Sequence, residues 1–416
     1  MDGAVGGVKG ALAEPTSNVS AWWVARFALA WVGLFVGLFG PLQVLLPQQA
    51  EALAPHGKES VLGLVLLLGA AFSLVANPLF GAVSDRTTSR FGRRVPWIAC
   101  GFAGGAVAIG VLAAAPNVIV MAVGWCAVQV LLNSAYAALG ATIPDRVPAG
   151  QRGTAAGYLG IALILGVAIG TGLAILGHGT TIGYLACALF MLVCALPYLL
   201  RHDETVLDTA DRPPWDWRTF LRGFWIDPRE SPDFGWAWLT RFLVNLGNSI
   251  ALLYLFFYLK DEVQVANPEA GVLIVTGVNL AAMLVSVLLV GIWSDRVGSR
   301  RIFVCGGGMI MATAAFLIAG FASWTSVVVA AVVLGIGFGA YTSVDFALLT
   351  QVLPSSTDRA KDLGVLNIAS SLPQVLAPAI AAPIVVHLGS YTMLYLVAGA
   401  VELVGAVLVY RIRSVR

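Results

Sequence analysis

Among the side chains that carry charge inside long apolar stretches are Arg26, Arg241 and Asp345. A carboxylate in such a place is costly unless it is paired, protonated or facing water. Asp345 is therefore the position where a coupling proton could be held and released, with Arg241 or Arg26 as the cation that approaches it. A fixed ion pair is the alternative chemistry. Both arginines lie early in their stretches and could instead extend their heads to the membrane interface. Glu402 is a fourth such charge, in the last apolar stretch.

Uncharged polar residues recur at helical spacing around these positions, as a polar solute would require. Gln129, Asn133 and Tyr136 are spaced i, i+4, i+7, and Arg241, Asn245 and Asn248 repeat that spacing. Asn77, Asn279, Tyr341, Thr342, Asn367 and Gln374 lie in further apolar stretches, as does Gln43, just beyond Gly40-Pro41. These are the candidate cavity residues. Interhelical packing bonds are the plainer reading of each one.

A third group sits at the ends of the apolar stretches. Asp85 is followed by Arg86, Arg90, Arg93 and Arg94; Asp145-Arg146 precedes Arg152; Asp295-Arg296 precedes Arg300 and Arg301. A carboxylate at the edge of a membrane needs basic partners. These clusters are candidate gates, and loop charges that merely fix orientation are the alternative. The five cysteines lack metal-ligand or disulfide-scaffold spacing, the four histidines form no ligand-spaced pair, and no nucleotide-binding motif occurs, so an enzyme is not expected. No cofactor or metal is expected either.

The elements that position these residues follow from composition. Of 416 residues, 59% are hydrophobic and 11% charged, and the mean hydropathy is +0.87. Ordinary soluble domains carry about 25% charge. Crossing a bilayer takes about 20 apolar residues, and twelve such stretches are read at 22–46, 60–83, 95–115, 117–143, 153–176, 180–200, 235–259, 269–293, 302–322, 324–352, 363–387 and 390–410. The expected organisation is a tail at 1–21, six helices at 22–200, a linker at 201–234 and six helices at 235–416. The net charge of +2 offers no surface for nucleic acid.

Position matters more than net charge. Of 24 basic residues, 20 fall on the side of the termini, two (Lys58 and Lys260) on the other, and Arg26 and Arg241 within stretches. The positive-inside rule then places both termini in the cytoplasm. A plasma (inner) membrane protein, multi-pass and monomeric, is the expectation.

The halves also repeat. Trp23-x-x-Arg26-Phe27 returns as Trp238-x-x-Arg241-Phe242, Gly81-x-x-Ser84-Asp85-Arg86 as Gly291-x-x-Ser294-Asp295-Arg296, and Ala135-Tyr136 as Ala340-Tyr341. With twelve stretches, a central linker and this loop motif, the sequence resembles the major facilitator superfamily. The run Ser84-Asp85-Arg86-Thr87-Thr88-Ser89-Arg90-Phe91-Gly92-Arg93-Arg94-Val95-Pro96-Trp97-Ile98 is similar to that of its sugar and glycoside cation symporters, including the sucrose-transporter-like branch.

The resemblance implies an all-α integral membrane fold, with twelve transmembrane helices in two pseudo-symmetric six-helix bundles. It also implies that Asp85 and the following arginines latch one state of an alternating-access cycle, with Asp295, Arg296, Arg300 and Arg301 as a second copy. In the family fold the third, sixth, ninth and twelfth helices stand outside the cavity, and the third and ninth are the least polar here. Two departures stand out. Gln129 and Gly140 occupy positions where the sucrose branch has an acidic residue and an arginine, and the fifth stretch has glycines without the proline of drug antiporters.

The expected function is uptake of a small polar organic solute, specifically sugar or glycoside symport with protons, Na+ being the other coupling ion considered. Proton-driven efflux of a drug or secondary metabolite is the alternative, with Phe256, Phe257, Tyr258 and Phe338 as apolar wall. A non-transporting receptor or scaffold comes third. Expected partners are the solute and the lipid bilayer.

Overall fold

The computed structural model describes residues 15, 17–176, 180–201, 204, 206–207, 209, 232–297, 300–351, 359–388 and 390–413; of these, 149–150, 152–156, 176, 291–292, 295–296, 346–351 and 359–367 are described by backbone alone. The described residues are helical and loop-forming, with no strand among them. The helices are α1 (Ala21–Gly40), α2 (Leu46–Leu53), α3 (Lys58–Ser84), α4 (Val95–Ala113), α5 (Val118–Arg146), α6 (Ala149–Leu176) and α7 (Thr180–Leu200). Then follow α8 (Pro232–Leu253), α9 (Leu255–Phe257), α10 (Pro268–Val297), α11 (Arg300–Gly320), α12 (Trp324–Gln351), α13 (Arg359–Leu388) and α14 (Tyr391–Leu408).

Eleven helical segments among the described residues are long and apolar enough to cross a membrane. A twelfth is counted when Pro232–Leu253 and Leu255–Glu262, which meet at 41°, are taken as one span. The chain is thus an all-helical, multi-pass membrane protein. Short polar caps set the starts of several helices: Ser20, Asn117 and Ser390 accept the amides of Trp23, Val120 and Met393. Asn117 closes the short connection between α4 and α5, and Ser323 caps α12 by accepting the amide of Ser326.

Two irregularities were not foreseen in this form. The Gly40-Pro41 site is a π-helical turn, Pro41–Leu45, joining α1 to α2, and a second π-helical turn, Tyr258–Glu262, follows α9. Proline removes one backbone donor, and the wider turn carries the chain past it while the span continues to Leu53.

The chain divides into two compact units, Met1–Leu53 with Leu68–Trp215, and Ala54–Leu67 with Asp216–Arg416. In the first, α1 packs on α6 and α7, and α4 on α5 and α7. A side chain at Gly170 would meet the Gly40 amide at 3.0 Å and the Val36 carbonyl oxygen at 3.1 Å, so α1 and α6 touch backbone to backbone. Gly166 serves the same contact, whereas Gly157, Gly160 and Gly172 face nothing within 4 Å. Only part of the glycine run in the fifth span is therefore explained by packing.

In the second unit α12 lies between α10 and α11, and α14 packs on α8 and α11. Its buried core includes Phe234, Val244, Val304, Met311, Tyr341, Val344 and Val409. The sequence repeat has a physical counterpart. Trp23 stacks on Phe27 with centroids 4.9 Å apart and planes at 13°, and Trp238 stacks on Phe242 at 5.3 Å and 6°.

Candidate functional site

The first constellation is built on the turn after α3. Arg94, 3% exposed at the start of α4, directs its guanidinium back across the loop: Nη1 donates to Ser84 Oγ at 2.5 Å, Nη2 to Asp85 Oδ1 at 2.5 Å and Nε to Asp145 Oδ2 at 2.9 Å. Arg93 Nη2 approaches the other Asp145 oxygen at 2.6 Å. Ser84, fully buried, donates its own hydroxyl hydrogen bond to the Gly81 carbonyl oxygen. Burial works against the charge of Arg94; Asp145 and then Asp85 outweigh it and raise its affinity for its proton. The ends of α3 and α5 are thus tied to the start of α4 by one side chain.

Arg86 Nη1 donates to the Ala82 carbonyl oxygen in the last turn of α3, and Arg90 lies over the Phe91 ring at 4.7 Å. Arg146 occupies the last turn of α5, where a cation suits the helix dipole. In the second copy, Arg300 and Arg301 open α11 and are half-buried. The side chains of Arg152, Asp295 and Arg296 lie outside the described residues.

One member of the first cluster was missed from sequence. Glu204, just beyond α7, accepts the amide of Arg94 at 2.9 Å and that of Val95 at 3.3 Å through Oε2. In the sequence it is one of several acidic residues between 201 and 234. Its partners lie 110 and 109 positions away, and no spacing rule connects them.

The second constellation is the charged pair inside the second unit. Arg241 Nη1 donates to Asp345 Oδ2 and Arg241 Nε to Ser370 Oγ at 2.7 Å, joining α8, α12 and α13. The two charged side chains are 18% and 7% exposed, so the Arg241 head is largely enclosed by protein. Arg26 behaves differently: it is exposed, and donates to the carbonyl oxygens of Trp22 at 3.2 Å and Arg201 at 3.0 Å. Its bonds are to backbone near the ends of α1 and α7. Glu402 is fully buried, and neither carboxyl oxygen has a partner among the described residues.

The uncharged candidates fall into two sets. Several are committed to protein partners. Gln43 Oε1 accepts from Thr171 Oγ1 at 2.7 Å; Asn245 Nδ2 donates to the Arg241 carbonyl oxygen at 2.8 Å and Asn279 Nδ2 to that of Ala331 at 3.1 Å. Thr342 bonds back to Phe338, and Tyr341 is 1% exposed. Others keep exposed surface. Gln374 is exposed, Asn248 half-buried, and Tyr136 is 37% exposed with Trp31 edge-on behind it at 4.9 Å. Asn77, Gln129 and Asn133 form one amide group: Asn133 Nδ2 donates to Gln129 Oε1 at 3.2 Å, and Asn77 Nδ2 to Asn133 Oδ1 at 3.4 Å. The side chain of Asn367 lies outside the described residues.

A third cluster surrounds the first turn of α3. Lys58 Nζ contacts both Asp261 carboxyl oxygens, at 2.8 and 2.9 Å, and sits 4.8 Å from the Phe257 ring centre. Tyr391 donates to Asp261 Oδ2 at 3.1 Å, and Tyr254 to the Glu59 carbonyl oxygen at 2.8 Å. Three of the four aromatic residues expected to form an apolar wall are packed inside instead: Phe256, Phe257 and Tyr258 are at most 3% exposed, while Phe338 is half-buried.

With these helices, repeats and loop clusters in place, the family can be stated. A sequence profile described as Major Facilitator Superfamily matches residues 27–274 and 237–416, and the chain belongs to that family. The chain is 32% identical over 114 residues to a sucrose transport protein of Arabidopsis thaliana, covering 27% of this chain and 21% of that protein. It is 30% identical over 187 residues to a multidrug resistance protein of Klebsiella pneumoniae (strain 342), covering 43% and 46%. The chain spans less than half the length of either curated relative.

Two solved structures share the fold. A nucleoside transporter superposes with a TM-score of 0.75 at 13% identity, covering 94% of this chain and 99% of that one. A bacterial homolog of the human lysosomal transporter Spinster gives 0.69 at 14% identity, covering 95% and 96%.

Proposed function

We propose that the chain moves a small polar organic solute by alternating access, and that the specific activity is uptake of a sugar or glycoside coupled to protons. The observation that carries this reading is the Arg241–Asp345 pair, a titratable carboxyl held by a cation on the same helix as Asn245 and Asn248. Proton binding to Asp345 would release Arg241, and solute binding among neighbouring amides would feel that release. The Asp85–Arg94–Asp145 cluster would act as the gate at the cytoplasmic end, where the positive-inside rule would also put both termini. The sugar reading draws further support from the match to the sucrose transport protein.

The experiment is uptake into right-side-out vesicles under an imposed proton gradient, with a panel of labelled sugars and glycosides. Accumulation above equilibrium, abolished by collapsing the gradient, is the expected result. Folded protein with no gradient-driven uptake across the panel would overturn the sugar symport reading.

A second reading, proton-driven efflux of a drug or secondary metabolite, is favoured by the longer match to the multidrug resistance protein. The burial of Phe256, Phe257 and Tyr258 removes most of the apolar wall that reading relied on. Resistance conferred on a sensitive host and lost with Asp345→Asn would favour efflux.

A further inference from the structure

Helix α4 begins without a cap of its own. Arg94 occupies the N-cap position, and its side chain, turned towards Asp85 and Asp145, makes no capping bond. An arginine cannot accept a hydrogen bond, and the first amides of a helix have no partner within it. The acceptor comes from elsewhere in the chain: Glu204 Oε2 takes the amides of Arg94 and Val95.

The fit is close on both sides. Gly92, at φ +92°, passes directly beneath the Glu204 side chain; a Cβ there would stand 2.4 Å from both Glu204 Cβ and Oε2. Leu207, 2% exposed, is buried three residues further on. The carboxyl of Glu204 is itself largely enclosed, and Oε1 has no partner among the described residues. Burial pushes the carboxyl above the usual carboxylate range, against the pull of the two amides and of the Arg94 charge. A neutral acceptor of the same shape is therefore suited to the site.

The two roles of Arg94 are joined at its Cα. Its side chain is the one that ties Ser84, Asp85 and Asp145 together, and its backbone is the part that Glu204 holds. We propose that Glu204 is a positioning residue of the gate: by capping α4 it fixes the backbone from which Arg94 reaches its partners, so the segment after α7 is a working part of the gate and not only a connection. This rests on the gate reading of the Arg94 cluster.

The test is amide hydrogen exchange of the full-length protein in lipid nanodiscs, read at Asp85, Arg86 and Thr87, whose amides bond back to Gly81, Val83 and Ser84. If Glu204 positions Arg94, Glu204→Ala speeds exchange at these three amides by about tenfold, the size of a lost helix cap. Glu204→Gln, which keeps a carbonyl acceptor, stays close to the parent protein. Glu204→Met, which keeps most of the side-chain volume but removes the carboxyl acceptor, behaves like Glu204→Ala and serves if that variant folds poorly. Unchanged exchange at 85–87 in both Glu204→Ala and Glu204→Met overturns the proposal, as does a Glu204→Gln variant as open as Glu204→Ala. The gate reading fails separately, if Asp85→Asn and Arg94→Met transport sugar at the parent rate; that result leaves the exchange measurement intact.

Discussion

At the scale of single residues, the Arg241–Asp345 pair shows what position adds to type. Each residue is conspicuous in the sequence as a charge in an apolar span, but their pairing depends on α8 and α12 bringing positions 104 apart within reach. Because both side chains are largely enclosed, removing one strands the other without water. Asp345→Ala is expected to destabilise the protein by about 3–5 kcal/mol, while adding Arg241→Met restores most of the loss. Equilibrium unfolding in mixed micelles checks both variants. A double variant no more stable than the single one would show that the pair is not what holds Arg241. Glu204 is the contrasting case: it was visible only as one acid among several in a polar segment, since a cap supplied from over 100 residues away leaves no local pattern.

At the scale of elements, helix existence was legible because bilayer thickness imposes a minimum apolar length. The π-helical turns were not, because Gly40-Pro41 announces an interruption without its form and Tyr258–Glu262 contains neither glycine nor proline. Helix contacts were partly legible. The sequence Gly335-Ile336-Gly337-Phe338-Gly339 on α12 turns small residues to both neighbours. A Cβ at Gly335 would lie 2.3 Å from the Asn279 carbonyl oxygen of α10, and one at Gly337 would lie 2.8 Å from the Gly307 carbonyl oxygen of α11. Backbone atoms cannot step aside as a flexible side chain can. Gly337→Ala is therefore expected to cost about 1–3 kcal/mol through overpacking, whereas Gly306→Ala, with nothing within 4 Å, should be near neutral. Thermal unfolding of the two variants side by side tests the contrast, and equal midpoints would remove the argument for close backbone contact at α11 and α12.

At the scale of the whole molecule, the distribution of charge makes the most exposed claim. Twenty of 24 basic residues fall on one side of the span map, and only Lys58 and Lys260 on the other. Among the described residues, Arg93 and Arg94 precede α4, Arg146 ends α5, Arg201 follows α7, and Arg300 starts α11, while Lys58 starts α3 and Lys260 lies in the turn after α9. Lysine and arginine near span ends are retained on the cytoplasmic side during insertion. An epitope tag at either terminus is therefore expected to resist protease in right-side-out vesicles and to be cleaved in inside-out ones. A tag inserted between Ala266 and Asn267, in the loop before α10, should show the reverse. Cleavage of a terminal tag from outside would invert the map. It would also place the Arg94 cluster at the outer end and the Lys58–Asp261 pair at the inner one, so the experiment decides which of the two charge clusters meets the cytoplasm.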